Sequence, residues 1–174
     1  RPLNLMLENV PDFEGSKHHQ MLANLLCDQG YSLRGDVLCP TQWGIPMRRE
    51  RFYLRAQRDR VNVVELSPHK VDKPITAFID PSASRDESLF VECATLRNYR
   101  SAMRIIDEDD HLAIASCFTS AYGNSPVRAG SYLRSKQDGR VRRFAPHEIA
   151  RLMGYRDQFY WPPSFDSRIK YKLL

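Results

Sequence analysis

The chain has 174 residues, 42% hydrophobic and 27% charged, enough to bury a sizeable core in one globular domain and short for two. Its eleven prolines and eight glycines are scattered, which excludes collagen-like and wholly disordered readings, and no apolar run approaches the roughly 18 to 20 residues needed to span a bilayer. A soluble protein is expected, with no membrane partner, and its net charge of +5 permits an anionic partner without demanding one.

The first apolar run, Leu3 to Leu7, has the length of a buried strand and empties into the turn mixture Glu8-Asn9-Val10-Pro11-Asp12. A helix comes next: Ser16 can cap it, Met21, Leu22, Leu25 and Leu26 recur at helical spacing, and Gly30 stands where a helix terminates. Tyr31 to Cys39 reads as a second strand, so the three elements form the strand, crossover helix and strand of a parallel sheet. Pro40 to Glu50 is a loop and Arg51 to Arg55 a third strand. From Val61 prolines punctuate the chain and mark a domain shift. Leu96 to Ile106 predicts a helix, Leu112 to Cys117 a strand, and Ser131 to Arg134 with Arg140 to Phe144 a hairpin around Asp138-Gly139. Pro146 opens another helix, with Ile149, Leu152 and Met153 on one face and Gly154 after it.

Charge is segregated. Arginines gather between Arg48 and Arg60, basic residues again between Arg128 and Arg143, and acids in the run Asp107 to Asp110. The basic stretches, with Tyr122 and Tyr132 nearby, suit phosphate and stacking contacts, and core packing suits either tyrosine equally well. Cys27, Cys39, Cys93 and Cys117 form no Cys-x-x-Cys pair and the histidines no ligand ladder, so no metal site is expected. Free thiols fit a reducing compartment, cytoplasmic or nuclear. His18 and His19 point about 100° apart on a helix and read as an exposed face.

Two features could carry chemistry. Glu8 closes a strand, and in an open α/β sheet the carboxyl ends of strands border the substrate crevice. Arg49 and Arg51 alternate on an extended segment and so point the same way, toward an anionic or carbonyl-rich target or toward solvent.

Together with segments downstream of them, these residues resemble the cytosine-5 methyltransferases. The likeness rests on Glu8-Asn9-Val10, the Gly44-Ile45-Pro46 loop with the Arg49-x-Arg51 pair, and the helix Phe144 to Tyr155 followed by Asp157 and Phe159. Cys117-Phe118-Thr119, then Tyr122-Gly123 and Gly130-Ser131, is similar to the motif of the branch that methylates tRNA-aspartate in its anticodon loop. The resemblance implies an α/β fold: the C-terminal part of a doubly wound Rossmann-like methyltransferase sheet with a smaller target-recognition domain. It implies S-adenosylmethionine as methyl donor and tRNA as substrate, with DNA as the alternative. It assigns Glu8, Arg49 and Arg51 to catalysis and Asn9, Cys117, Phe118, Thr119, Tyr122 and Gly123 to substrate binding. A Cys thiolate adds to carbon 6 of the cytosine; Glu8 donates to ring nitrogen 3 in a crevice shielded from water, and Arg51 binds the carbonyl oxygen.

The same resemblance exposes departures. The family's Gly-rich cofactor turn and its Pro-Cys-Gln nucleophile loop precede Glu-Asn-Val, and neither occurs in these residues; Cys39-Pro40 stands in the wrong place to replace the latter. Met47 occupies a position where many relatives have Gln. The expected organisation is therefore 1–60 as the second part of a catalytic domain, 61–159 as a target-recognition domain and 160–174 as a return segment. The piece alone is expected to be inactive, completed by an N-terminal half or a second chain. A non-catalytic nucleic-acid-binding or scaffold relic is the other reading.

Overall fold

The computed structural model describes residues 2–58, 67, 73–156 and 159–174. The shift expected at Val61 and the motif residue Asp157 lie outside them. The chain divides into two compact units, Arg1–Trp43 with Arg49–Lys70 and Gly44–Arg48 with Val71–Leu174. The segment 160–174, expected as a separate return segment, is counted with the second unit.

In the first unit, β1 (Asn4–Asn9), α1 (Lys17–Asp28), β2 (Ser32–Leu38) and β3 (Arg51–Gln57) follow one another. Ser16 caps α1 by accepting from the His19 N–H at 3.1 Å, and Gly30 closes it by donating to the Cys27 carbonyl. β1 and β2 run in the same direction, yet they are not neighbours: the sheet order is β1-β3-β2, with β3 antiparallel to both. The parallel sheet expected here is thus a mixed one. The connection from β2 to β3 holds only a short 3-10 turn at Pro40–Trp43, which can reverse a chain but cannot carry the crossover a parallel strand needs.

The central strand explains its own position. Phe52, Leu54 and Ala56 alternate with Arg51, Tyr53 and Arg55, and the first three are at most 3% exposed. His19 of α1 stacks edge-on against Phe52 at 5.1 Å, with Phe13 alongside. His19 therefore packs rather than joining an exposed face as predicted. Met21 and Leu25, expected in the apolar stripe, are 62% and 58% exposed, while Leu22 and Leu26 are half-buried.

The second unit carries α2 (Cys93–Tyr99), β4 (Arg104–Asp107), β5 (Ser131–Arg134), β6 (Val141–Arg143), α3 (Pro146–Leu152) and α4 (Ser167–Leu173). β4 pairs parallel with β5, and β5 antiparallel with β6, so the predicted hairpin forms. The helix expected to reach Ile106 ends at Tyr99. Ile105 and Ile106 are β-branched and sit in β4, where Ile106 is buried. Leu112 to Cys117 is not the strand expected: Leu112 lies in a turn, and among the described residues the segment makes one bridge, Met47 to Ala115. Arg48 N–H donates to the Ala115 carbonyl and Ala115 N–H to the Pro46 carbonyl, which binds the Gly-Ile-Pro loop into this unit. Met47, 1% exposed, fills the core.

That core gathers Phe118, Tyr122, Leu133, Phe144, Ile149, Leu152 and Tyr171. A charged pair lies inside it: Arg142 and Glu148, 3% and 0% exposed, join through Nη1 to Oε2 at 2.8 Å and Nη2 to Oε1 at 2.9 Å. Glu148 also accepts from the backbone N–H groups of Asp80 and Ala145, at 2.8 and 2.7 Å. Burial works against the charge on Arg142, but the carboxylate outweighs it and holds the guanidinium protonated.

Candidate functional site

At the carboxyl end of β1 the register sets Glu8 opposite Tyr53 and Asn9 opposite Phe52. Arg51, two positions from Tyr53 on the same face, is the diagonal neighbour of Glu8. Its Nε lies 3.0 Å from Glu8 Oε1, and its Nη1 donates to the Glu50 carbonyl at 2.7 Å. Two residues separated by more than forty positions in the chain are thus held as one acid–guanidinium pair by strand register alone. Arg49 lies just ahead of β3 and is half-buried. Asn9 turns its Oδ1 back to accept from the Val10 N–H at 2.8 Å, so its side chain shapes the turn. The Glu8 side chain is 47% exposed. The water-shielded crevice expected around it is therefore not built by the described residues. Further along the same sheet face, Asp36 accepts from Arg55 Nη2 at 2.6 Å and lies near Arg34; burial would raise its carboxyl, and the two arginines outweigh that and hold it below the ordinary range.

In the second unit the Cys-Phe-Thr triplet is extended, and alternation splits it. Phe118 turns inward at 2% exposure, edge-on to Tyr122 at 4.9 Å and to Phe144 at 5.3 Å. Cys117 and Thr119 turn the other way, into a groove of about 730 Å³. Hydrogen bonds fix the triplet: Ser116 N–H donates to Ser131 Oγ at 2.9 Å and Thr119 N–H to the Ala129 carbonyl at 2.9 Å.

Of the residues expected to touch substrate, Phe118 and Tyr122 are instead buried in the core, while Gly123 is half-buried. Tyr122 is 1% exposed; its hydroxyl donates to the Ser131 carbonyl at 2.7 Å and accepts from the Phe144 N–H at 2.9 Å. Burial pushes its phenol well above the ordinary value. Gly123 has φ +92°, and a Cβ there would lie 2.7 Å from Tyr171 Cδ2, so it is glycine for close approach of the Tyr171 ring. Tyr132 is likewise 3% exposed and packs rather than stacking on a base.

The basic stretch from 128 to 143 is less available than its composition suggests. Arg134 pairs with Asp107 at 3.0 Å, Lys136 with Asp109 at 3.5 Å, Arg140 with Asp138 and Glu87, and Arg142 with Glu148. Arg143 donates to the Ser88 carbonyl. The acidic run Asp107–Asp110 is thus largely spent on the β5–β6 hairpin. Arg48, Arg104 and Arg128, by contrast, are exposed along the groove and form no ion pair or side-chain hydrogen bond among the described residues. Composition could not single them out, since nothing in sequence distinguishes them from their paired neighbours. None of the four cysteines forms a disulfide, and no metal-ligating group of His, Cys, Asp or Glu occurs among the described residues. No helix among them is long and apolar enough to cross a membrane.

The Glu-Asn-Val strand end and the Arg-x-Arg strand start are thus brought together on one sheet, acid against guanidinium. The chain belongs to the C-5 cytosine-specific DNA methylase family, whose pattern matches residues 1–122. Among curated relatives it is similar to the tRNA (cytosine(38)-C(5))-methyltransferase of Schizosaccharomyces pombe, 26% identical over 99% of this chain and 59% of that protein. It is also similar to the type II methyltransferase M.HhaI of Haemophilus parahaemolyticus, 22% identical over 98% of this chain and 58% of the relative. The S. pombe Dnmt2 methyltransferase structure is 25% identical with a TM-score of 0.88, covering 99% of this chain and 62% of that one. The Entamoeba histolytica methyltransferase EhMeth, 22% identical, shares the fold at a TM-score of 0.89, covering 99% and 57%. The chain therefore spans about 60% of the length of these relatives.

Proposed function

We propose that this chain supplies the base-holding and target-recognising part of a cytosine-5 methyltransferase that acts on tRNA. The observation that carries the reading is the Glu8–Arg51 pair at 3.0 Å at the carboxyl end of β1, in a chain of this family. The Cys-Phe-Thr triplet and the similarity to the S. pombe tRNA enzyme support RNA over DNA.

Cytosine presents a carbonyl oxygen, ring nitrogen 3 and an amine along one edge. Glu8 faces nitrogen 3, with which it shares a proton as charge builds on the ring, and accepts from the amine. Arg51 donates to the carbonyl oxygen while its Nε holds the acid in place, so charge driven onto the ring during attack at carbon 6 meets a donor at each atom that receives it. Arg49 adds positive potential beside the pair. General-acid help of this kind is worth about a hundredfold to ten-thousandfold in rate. The family's methyl donor is S-adenosylmethionine, and the nucleophilic Cys belongs to a loop outside these residues. The ends of β1, β2 and β3 carry Asn9-Val10, Cys39-Pro40 and Arg58 rather than a glycine-rich turn, so these residues do not fit a cradle for the donor and no step is assigned through it.

The test is methyl transfer by the complete polypeptide. Incubated with labelled S-adenosylmethionine, it should label a tRNA-aspartate anticodon hairpin and not duplex DNA. Transfer to DNA alone moves the assignment to the DNA branch, for which the M.HhaI similarity speaks. Transfer to neither favours the scaffold reading. Glu8→Gln should lower turnover at least a hundredfold while RNA affinity changes less than twofold; unchanged turnover removes Glu8 from the mechanism.

A further inference from the structure

Beside the Cys-Phe-Thr triplet lies a groove of about 730 Å³, walled by Cys117 and Thr119 and rimmed by Arg48, Arg104 and Arg128. We infer that this groove holds the phosphodiester backbone of the RNA strand flanking the target loop, with Arg48, Arg104 and Arg128 as its anchors. The inference rests on the tRNA reading above and adds to it the residues that grip the strand.

Charge complementarity carries the argument. The three guanidiniums come from three separate segments: the Gly-Ile-Pro loop, the start of β4 and the turn ahead of β5. Among the described residues Asp110 is the only acid lining the groove, and it is engaged locally, accepting from the Leu112 N–H at 2.9 Å. The neighbouring acids Asp107 and Asp109 are drawn away by Arg134 and Lys136. What remains is a rim of three guanidiniums against one carboxylate, a cationic excess that attracts phosphates and displaces their counterions. Arg128 holds φ +54° without being glycine, which costs about 1–3 kcal/mol and persists only where the surrounding structure enforces it. Its neighbours do so: Thr119 N–H is tied to the Ala129 carbonyl, and a Cβ at Gly130 would lie 2.6 Å from the Phe118 ring. The buried half of the Cys-Phe-Thr triplet thus sets the turn that presents Arg128. Between the cations, Leu112, 88% exposed, and Ile114, 37% exposed, offer apolar surface. An open channel with charge at its rim and apolar floor suits an amphipathic strand lying along it better than an enclosed small molecule.

The experiment is fluorescence anisotropy of the complete polypeptide with a labelled anticodon hairpin, across a salt series, for wild type, the triple variant R48Q/R104Q/R128Q and the control Arg85→Gln, which is not among the groove's lining residues. Circular dichroism melts verify that the variants fold. The expected result is a loss of about tenfold to a hundredfold in affinity for the triple variant, and a salt slope lowered by about two, against little change for the control. A triple variant that folds and binds with wild-type affinity and slope overturns the inference while leaving the methyl-transfer reading intact. Equal loss in the control overturns the location. Loss of duplex DNA binding with RNA binding retained overturns the choice of strand. Failure of methyl transfer by the wild-type polypeptide overturns the reading beneath it.

Discussion

Phe118 and Thr119 are adjacent in the chain and opposite in fate. Alternation along an extended segment puts one in an aromatic core and the other on a groove wall, so their substitutions should separate cleanly. Phe118→Ala should cost about 3–5 kcal/mol in urea denaturation, whereas Thr119→Ala should stay within about 0.5 kcal/mol. Equal costs would mean the triplet is not split as described. Glu148 makes the same point about charge. It satisfies Arg142 and two backbone N–H groups, so Glu148→Ala leaves a buried guanidinium without its partner and should cost about 3–5 kcal/mol. The motif places Glu148 on a helix beside a family signature, but gives no hint that it neutralises an arginine on the preceding strand.

Among the elements, α4 goes unseen in the sequence pattern, although its cap is written there. Asp166 Oδ1 accepts from the Ile169 N–H at 2.8 Å, and Tyr171 reaches back to donate to the Phe144 carbonyl at 2.7 Å. With seven residues the helix is too short to announce itself by periodicity; its place is decided by one aromatic ring entering the core. Gly123 exists to admit that ring. Gly123→Ala should therefore destabilise by about 1–3 kcal/mol, through both its left-handed backbone and the 2.7 Å approach to Tyr171. The double variant Gly123→Ala with Tyr171→Ala should show clear non-additivity, and strict additivity would argue against the contact. The sheet of the first unit teaches a related lesson. Both outer strands are recognisable locally, but the intercalation of β3 depends on the connection's length and on its fully buried alternate face.

For the whole molecule, titration brackets stability on both sides. Asp36, held down by Arg55 and Arg34 against the opposing effect of burial, and Asp80, held down first by the Ser82 N–H, have folded values below their unfolded ones. Their contribution is complete above the unfolded value near 4 and is lost as pH falls through the folded values. Asp138, lowered to about 2 chiefly by the Arg140 side chain, titrates the same way on an exposed turn. Tyr122 and Tyr171 are raised by burial, so their contribution is complete below about pH 10 and is lost as pH rises through the folded values. Urea midpoints should accordingly be level near neutrality, falling below about pH 4 and above about pH 10. Tyr171→Phe should flatten the alkaline limb and Asp36→Asn the acid one; limbs unchanged in both variants would refute these assignments.

What the sequence by itself determined is the family and the local grammar: a strand ending in Glu-Asn-Val, a capped helix, an arginine pair at alternate positions, a hairpin and a proline-started helix. These are written in short-range spacing, which is why they can be read without a fold. What only the tertiary structure decided is which of the equivalent-looking residues act on what. Arg51 meets Glu8 because register brings them together across two strands; Arg134, Lys136, Arg140 and Arg142 are consumed by acids from other segments; Arg48, Arg104 and Arg128 are left facing a groove. The physical reason is that an ion pair or a buried ring depends on distance in space. Composition counts charges and apolar groups, but only the packed chain says which of them cancel.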